Sequence, residues 1–355
     1  MADFIVEPTP RELYARQFAN DSIVYAQWEN AFDKTFEDSL RIELPYTEIG
    51  SFFPGNNVAY SYNLELKRGE IFHAEVQTDS LNTTLFLDLY ERKSDSLNQY
   101  NLVTRSENGQ KYLEKTIEKS GIYKLILQPG IHIRAPFQLR LFSNPLYAFP
   151  VIGKDNEAIQ SFWGADRDGG RRSHQGVDIF ADRGTPVVAA TKGRISSTGE
   201  RGLGGKQVWL RSGVFGNSLY YAHLDSIAVG MGKRVEIGDT LGFVGNTGNA
   251  KTTAPHLHFG IYEGYRGAID PLPFIRINDT PEAEFEPVSF ESPKITVAAA
   301  RANLRNSPTT EGQPTGETGR GDTLSVLGIT GKWAHVKTMA GRKAFVHRSL
   351  LAPSP

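Results

Sequence analysis

From Leu40 onward the chain alternates apolar and polar residues with a period of two. Tyr60, Tyr62, Leu64 and Leu66 interleave with Ser61, Asn63, Glu65 and Lys67. The pattern returns in Leu85, Leu87 and Leu89, in Tyr123, Leu125 and Leu127, and in Phe137, Leu139 and Leu141. Such alternation places successive side chains on opposite faces of a strand. Turn residues at Arg68-Gly69, Asn108-Gly109 and Ser120-Gly121 separate the runs. Several strands joined in this way predict an antiparallel β-sandwich over residues 40–149. Residues 1–39 read as a helical lead-in, with Asp21 and Ser22 as caps ahead of Ile23, Val24, Trp28, Phe32 and Phe36. His73 and His132 have no partners at ligand spacing and read as ordinary strand residues.

The pattern changes again after the centre of the chain. Residues 277–294 include the stretch NDTPEAEFEPVSFESP, which has no apolar period and three prolines, and read as an extended linker. From 295 to 355 short apolar runs (TLSVLGI, KWAHVKT, KAFVHRSLL) are punctuated by glycines and are again strand-like.

A length of 355 residues predicts two to four domains. Lys plus Arg number 39 and Asp plus Glu 40, a net charge of −1 with no long run of either sign. That balance argues against nucleic acid or an anionic membrane surface as partner. The absence of cysteine excludes a disulfide scaffold and any thiolate metal site, so a metal here needs His, Asp or Glu. No stretch is long and apolar enough to cross a bilayer, and the start, MADFIVEPTPRE, has no apolar signal core. Either the chain stays inside the cell, or a signal or lipid anchor has been removed.

Four of the eight histidines lie between residues 174 and 258, in the central segment 150–276. SHQGVDIFADRGTPV supplies His174 and Asp178, SLYYAHLDS supplies His223, and TAPHLHFGIY supplies His256 and His258. Gly176, Val177 and Ile179 oppose a helix, so His174 falls in a turn entering a strand that carries Asp178. On a strand, His256 and His258 share one face while Leu257 and Phe259 face the core. His223 ends an aromatic strand and can address the same volume. Zinc suits such a set, because a catalytic zinc takes three N or O ligands and keeps a fourth position for water. Tyr221 reads equally as a core aromatic or a groove residue. Asn246 and Gly248 read as turn residues, and Arg171 and Arg172 as possible partners of a substrate carboxylate.

His174…Asp178, Tyr221-Ala222-His223-Leu224 and His256-Leu257-His258 resemble the signature of lysostaphin-type (LytM-type) zinc endopeptidases, in the same order and at comparable separations. The flanking segments FWGADRDGGRRSHQGVDI and GDTLGFVGNTGNAKTTAPHLHFGI agree, and the resemblance extends over about 115 residues. It implies one zinc ion per chain held by His174, Asp178 and His258, with His223 and His256 as catalytic histidines whose division of duties stays open. It also implies an antiparallel sheet flooring a groove, with DRDGGRRS and ERGLGGKQ as candidate walls. ARANLRNSPTTEGQ…KWAHVKTMAGRKAFVHRSLL resembles bacterial SH3-type domains through Asn303, Leu304, Arg305, Pro308, Trp333, Val336, Phe345 and His347, with His335 and His347 as structural or surface residues. GIYKLILQPG is similar to small β-sandwich domains that accompany secreted bacterial peptidases.

The expected fold class is therefore mainly β: a helical lead-in and sandwich, a central antiparallel peptidase domain, and a C-terminal SH3-like small barrel. The expected function is hydrolysis of peptidoglycan cross-link peptides in the cell envelope, with no particular protein partner indicated. The alternative is a non-catalytic wall-binding regulator or activator of other wall hydrolases. The intact set of five polar residues favours the enzyme.

Overall fold

The computed structural model describes residues 7–18, 22–54, 58–79, 83–93, 99–107, 109–167, 169–213, 216–282 and 294–353. The expected cap at Asp21, the turn residue Asn108 and residues 283–293 of the proline-rich stretch lie outside them. The protein is mainly β, with antiparallel sheets throughout. It divides into two compact units. One is built from both flanks (residues 1–67, 72–143 and 279–355), the other from residues 68–71 and 144–278. Among the described residues no helix is long and apolar enough to cross a membrane.

The flank unit contains the sandwich. One sheet runs in the order Tyr60–Leu66, Gly121–Pro129, Leu85–Arg92, Tyr100–Arg105. The other includes Tyr46–Phe52, Ala135–Pro145, Glu70–Thr78 and Tyr112–Thr116. The apolar phase of each run, such as Tyr62, Leu87, Leu125 and Leu139, meets in one shared core. The polar phase is buried as well: Ser61, Asp88, Lys124 and Gln128 are all sealed from solvent. The lead-in covers that face. Helix Ser22–Asp33 packs Trp28 against Phe86 and Ile131, and the Trp28 indole donates to the Pro129 carbonyl at 2.8 Å. Arg11 donates to Asp88 at 2.7 Å, and the Lys124 ammonium donates to the Thr35 and Asp38 carbonyls at 2.8 Å each. Burial lowers the Lys124 ammonium to about 8. His73 lies on a strand and stacks on Phe142. His132 lies in a turn, not in the expected strand, because Pro129 and Gly130 end the preceding strand.

The C-terminal flank forms strands Arg301–Arg305, Pro314–Gly319, Thr323–Thr330, Trp333–Lys337 and Lys343–His347, with a small core of their own around Leu304, Val336 and Val346. Strand Thr323–Thr330 also pairs with Tyr46–Phe52 at Ile49 and Ile329, so the C-terminal strands extend a sandwich sheet. Beside that seam Glu48 and His335 are fully buried, with Nδ1 of His335 3.0 Å from a Glu48 carboxylate oxygen. Tyr62 donates its hydroxyl to the other Glu48 oxygen at 2.9 Å, and Tyr46 donates to the same oxygen.

The central unit is built on one sheet in the order Gly193–Glu200, Lys206–Ser212, Ser218–Ile227, His256–Tyr262, Val177–Phe180, Ile159–Ser161. Strand His256–Tyr262 sits in the middle, with Asp178 opposite His258 on one side and Ala222 opposite His258 on the other. One face of these strands carries Ile179, Tyr221, Leu257 and Phe259 into the core. The other face floors a groove.

Candidate active site

The groove encloses about 650 Å³ and is lined by His174, Asp178, His223, His256 and His258 together with loop residues. Period-two geometry explains most of this. His256 and His258 alternate with the core residues Leu257 and Phe259. Asp178 is drawn to the same face by its register with His258. His174 arrives from the turn just before strand Val177–Phe180, as its local sequence predicts.

His223 does not follow from alternation. It shares the parity of Leu219 and Tyr221, which lie in the core, yet it lines the groove. Its φ is +62°, the sole positive φ on a non-glycine among the described residues. That left-handed conformation reverses the pleat, so the next residue, Leu224, falls back into the core. Histidine is among the residues that adopt it more readily than most, at a cost of order 1 kcal/mol. The local ladder is irregular on both sides of the same strand.

Backbone carbonyls fix the tautomers of three site histidines. Nδ1 of His174 lies 2.9 Å from the Phe162 carbonyl oxygen. Nδ1 of His223 lies 2.8 Å from that of Thr247, and Nδ1 of His256 2.8 Å from that of Ala254. A carbonyl oxygen only accepts, so each Nδ1 carries a proton, and in the neutral ring the lone pair falls on Nε2.

Nε2 of His174, Nδ1 of His258 and Oδ1 of Asp178 form a triangle with every edge 3.0 Å. Three lone-pair atoms at such distances, with too few protons to go round, make a site for a cation. A tetrahedral ion with bonds of about 2.1 Å would spread its donors to about 3.4 Å, close to the observed spacing. The donor set therefore fits a single small divalent ion. Burial opposes ionisation of Asp178, but hydrogen bonds and charge from His174 and His258 outweigh it and hold the carboxyl well below its ordinary range. Burial lowers His258, and burial followed by the neighbouring His256 and His258 lowers His223 to about 4. His223 is neutral at pH 7. The His223 ring lies 5.1 Å from that of His256 and 5.9 Å from that of His258.

Two features escaped the sequence. Arg167 donates to Oδ2 of Asp178 and to the Ser161 hydroxyl, both at 2.6 Å. It sits in a hairpin, Asp166–Arg167 against Arg172–Ser173, whose two-residue strands leave no periodic signal. Tyr220 lines the groove, whereas Tyr221 is wholly buried and takes the Ala190 amide proton on its hydroxyl at 3.0 Å. Tyr221 is thus a core residue, as its register with Phe259 requires. The two glycine-rich loops do contribute to the groove, through Arg171, Arg172 and Ser173 on one side and Leu203 and Gly204 on the other. The second is held by contact with the loop after strand Thr240–Val244. Asn249 donates its amide to the Leu203 carbonyl, and Gly205 and Gly248 meet with φ of +61° and +71°. A Cβ on Gly248 would sit 2.2 Å from that carbonyl oxygen, so only glycine allows the approach. Asn246, expected in a turn, lies in the irregular segment after strand Thr240–Val244 and accepts from Arg183, and Gly248 opens a short 3-10 helix.

With the geometry in place, the comparisons are specific. Residues 172–271 match the model of Peptidase family M23, and residues 300–352 match that of a bacterial SH3 domain. An L-Ala–D-Glu endopeptidase of Bacillus subtilis (strain 168) is 36% identical over 141 residues, 37% of this chain and 43% of that protein. A glycyl-glycine endopeptidase of Staphylococcus capitis is 37% identical over 108 residues, 29% of each chain. The solved catalytic domain of lysostaphin from Staphylococcus simulans is 36% identical, covering 32% of this chain and 87% of that one, with a TM-score of 0.30. The match spans less than half the length of either curated relative. The chain carries a domain of peptidase family M23 in its central unit and a bacterial SH3 domain in its C-terminal flank.

Proposed function

We propose that the central unit is a zinc-dependent endopeptidase that hydrolyses cross-link peptides of bacterial peptidoglycan in the cell envelope. The observation that carries this reading is the 3.0 Å triangle of His174, Asp178 and His258 beside two further imidazoles that lie outside it. A site that served structure alone has no use for His223 and His256, which disfavours a non-catalytic regulator. The endopeptidase names of the relatives point the same way.

In this reading His174, Asp178 and His258 hold one zinc ion. Bound there, zinc supplies a water acidic enough to yield hydroxide near neutral pH and a Lewis acid for the scissile carbonyl. The chain's own residues do the rest. His223 and His256 present unprotonated Nε2 atoms, so one accepts the proton of the attacking water. The imidazolium so formed hydrogen-bonds the oxyanion of the tetrahedral intermediate and then gives that same proton to the departing amine, while the other Nε2 orients the water by accepting from its second O–H. Arg167 holds Oδ2 of Asp178 and leaves Oδ1 for the metal. The SH3-like domain binds wall peptide and raises its local concentration.

Digestion of purified wall material, followed by mass spectrometry of the released fragments, tests this function. New amino termini within the peptides are expected, lost on chelation and restored by zinc. Intact peptides with cut glycan, or activity indifferent to chelation, would overturn it. A second expectation concerns Gly176, between the first two ligands. A Cβ there would stand 2.5 Å from the Phe259 carbonyl oxygen and 2.7 Å from the His258 ring. Gly176→Ala is expected to weaken zinc binding by about 10- to 100-fold in a competition titration. Unchanged affinity would show that the His258 ring has room to spare.

A further inference from the structure

The groove floor continues past the proposed metal site. Beyond His258 the same strand face carries Gly260 and then Tyr262, because Phe259 and Ile261 alternate into the core. Tyr220 stands opposite Gly260 across one strand pair, and Trp209 stands opposite Tyr220 across the next. Trp209 falls between the core residues Val208 and Leu210, so it too faces the groove side. The three rings form one shelf. Trp209 lies 4.4 Å from Tyr220 and 5.0 Å from Tyr262, and Tyr220 lies 5.8 Å from the His258 ring. Tyr220 and Tyr262 line the groove, while Trp209 and Tyr262 are half-buried and keep part of their surface in solvent.

The polar tips of the shelf differ. The Tyr220 hydroxyl donates to Gln207, which fixes its ring. Among the described residues the Trp209 indole N–H and the Tyr262 hydroxyl have no hydrogen-bond partner. The shelf is thus apolar on its face and a donor at its rim. A saccharide ring matches both: its C–H face stacks on the rings, and its hydroxyl and N-acetyl oxygens accept from the rim. An aliphatic side chain would meet the rings but leave both donors without acceptors.

We propose that Trp209, Tyr220 and Tyr262 form a saccharide subsite, which holds the N-acetylated sugar ring from which a wall stem peptide hangs. The inference rests on the endopeptidase reading and names what its substrate carries: peptide still attached to glycan. The spacing suits this. Tyr262 is four residues beyond His258, about 13 Å along a strand. An extended peptide covers that distance in about four residues, so the ring lies one short stem peptide away from the bond that is cut.

The test compares two forms of one cross-linked wall fragment, with its disaccharides and after an amidase has removed them. The intact zinc-loaded protein is expected to cleave the sugar-bearing form about tenfold more efficiently, mainly through KM. In Trp209→Ala/Tyr262→Ala the preference is expected to fall to within about twofold. Trp209→Phe/Tyr262→Phe keeps the ring faces and loses the rim donors, so it is expected to keep an intermediate preference of about threefold. A merely structural role would slow both fragments alike and leave their ratio unmoved. Equal cleavage of the two fragments by the parent protein, or a full preference in the alanine variant, overturns the inference and leaves the endopeptidase reading intact. Should the alanine variant not fold, the phenylalanine variant decides in its place: a reduced preference sustains the inference and an unreduced one overturns it. If neither fragment is cut, the endopeptidase reading fails. Calorimetric binding of the two fragments then decides the inference by itself: tighter binding of the sugar-bearing form sustains it, and equal binding overturns it.

Discussion

His256→Ala is expected to lower cleavage of wall peptides by about 10²- to 10⁴-fold while the protein still binds one equivalent of zinc. The separation follows from the geometry. His256 is outside the 3.0 Å triangle, and its Nδ1 is committed to the Ala254 carbonyl. Removing it deletes either the proton acceptor that goes on to serve the oxyanion or the group that orients the water, and leaves all three metal donors in place. His174→Ala removes a donor, so it is expected to lose metal and activity together. Elemental analysis of dialysed protein beside a cleavage assay distinguishes the two outcomes. Full activity in His256→Ala would remove the catalytic role proposed for this imidazole. Loss of zinc from that variant would instead place His256 among the ligands. His223 calls for a different substitution, because its backbone is left-handed. His223→Asn keeps a residue that tolerates this conformation and isolates the role of the imidazole.

Glu48→Leu is expected to destabilise the flank unit by about 3–5 kcal/mol. Glu48 is fully buried and accepts hydrogen bonds from Tyr46 and Tyr62, with His335 against its other oxygen. Burial, then the charge of Glu48, raises both tyrosine hydroxyls well above their ordinary range, so they stay protonated and able to donate. Leucine strips all three groups of their acceptor in a place where water cannot replace it. The companion variant Glu48→Leu/His335→Phe removes the orphaned imidazole too, and is expected to recover part of the loss. Chemical denaturation followed by circular dichroism reads both effects. A loss below about 1 kcal/mol in the single variant would show that the buried cluster is no better than an exposed ion pair.

The sequence disclosed what obeys simple periods. Alternation located Tyr60–Leu66, Gly121–Pro129 and Ala135–Pro145, and it put His256 and His258 on the face opposite Leu257 and Phe259. It was silent wherever a partner distant in the chain decides the outcome. Alternation alone did not say what covers the polar phase of the sandwich strands; Lys124 and Gln128 are buried because the lead-in covers them. Tyr221 and His223 share parity, and a single left-handed residue sends them to opposite faces. Arg167 is in a hairpin too short to show any pattern, so its hold on Asp178 could be found only in three dimensions. His335 read as a structural or surface residue, and nothing nearby in sequence foretells a carboxylate from Glu48.

The peptidase segment lies between two stretches of chain that fold as one body. A ribosome therefore finishes residues 144–278 before it has made strand Thr323–Thr330 or the imidazole that meets Glu48. The middle unit thus has its whole chain in hand before the flank unit does. A product cut short after the middle has every donor of the proposed metal site, but leaves the edge at Ile49 without Ile329 and Glu48 without His335. Exposed strand edges are templates for wrong pairing, and chaperones and proteases act upon them. An incomplete copy thus combines the donor set of the middle with an open edge at Ile49.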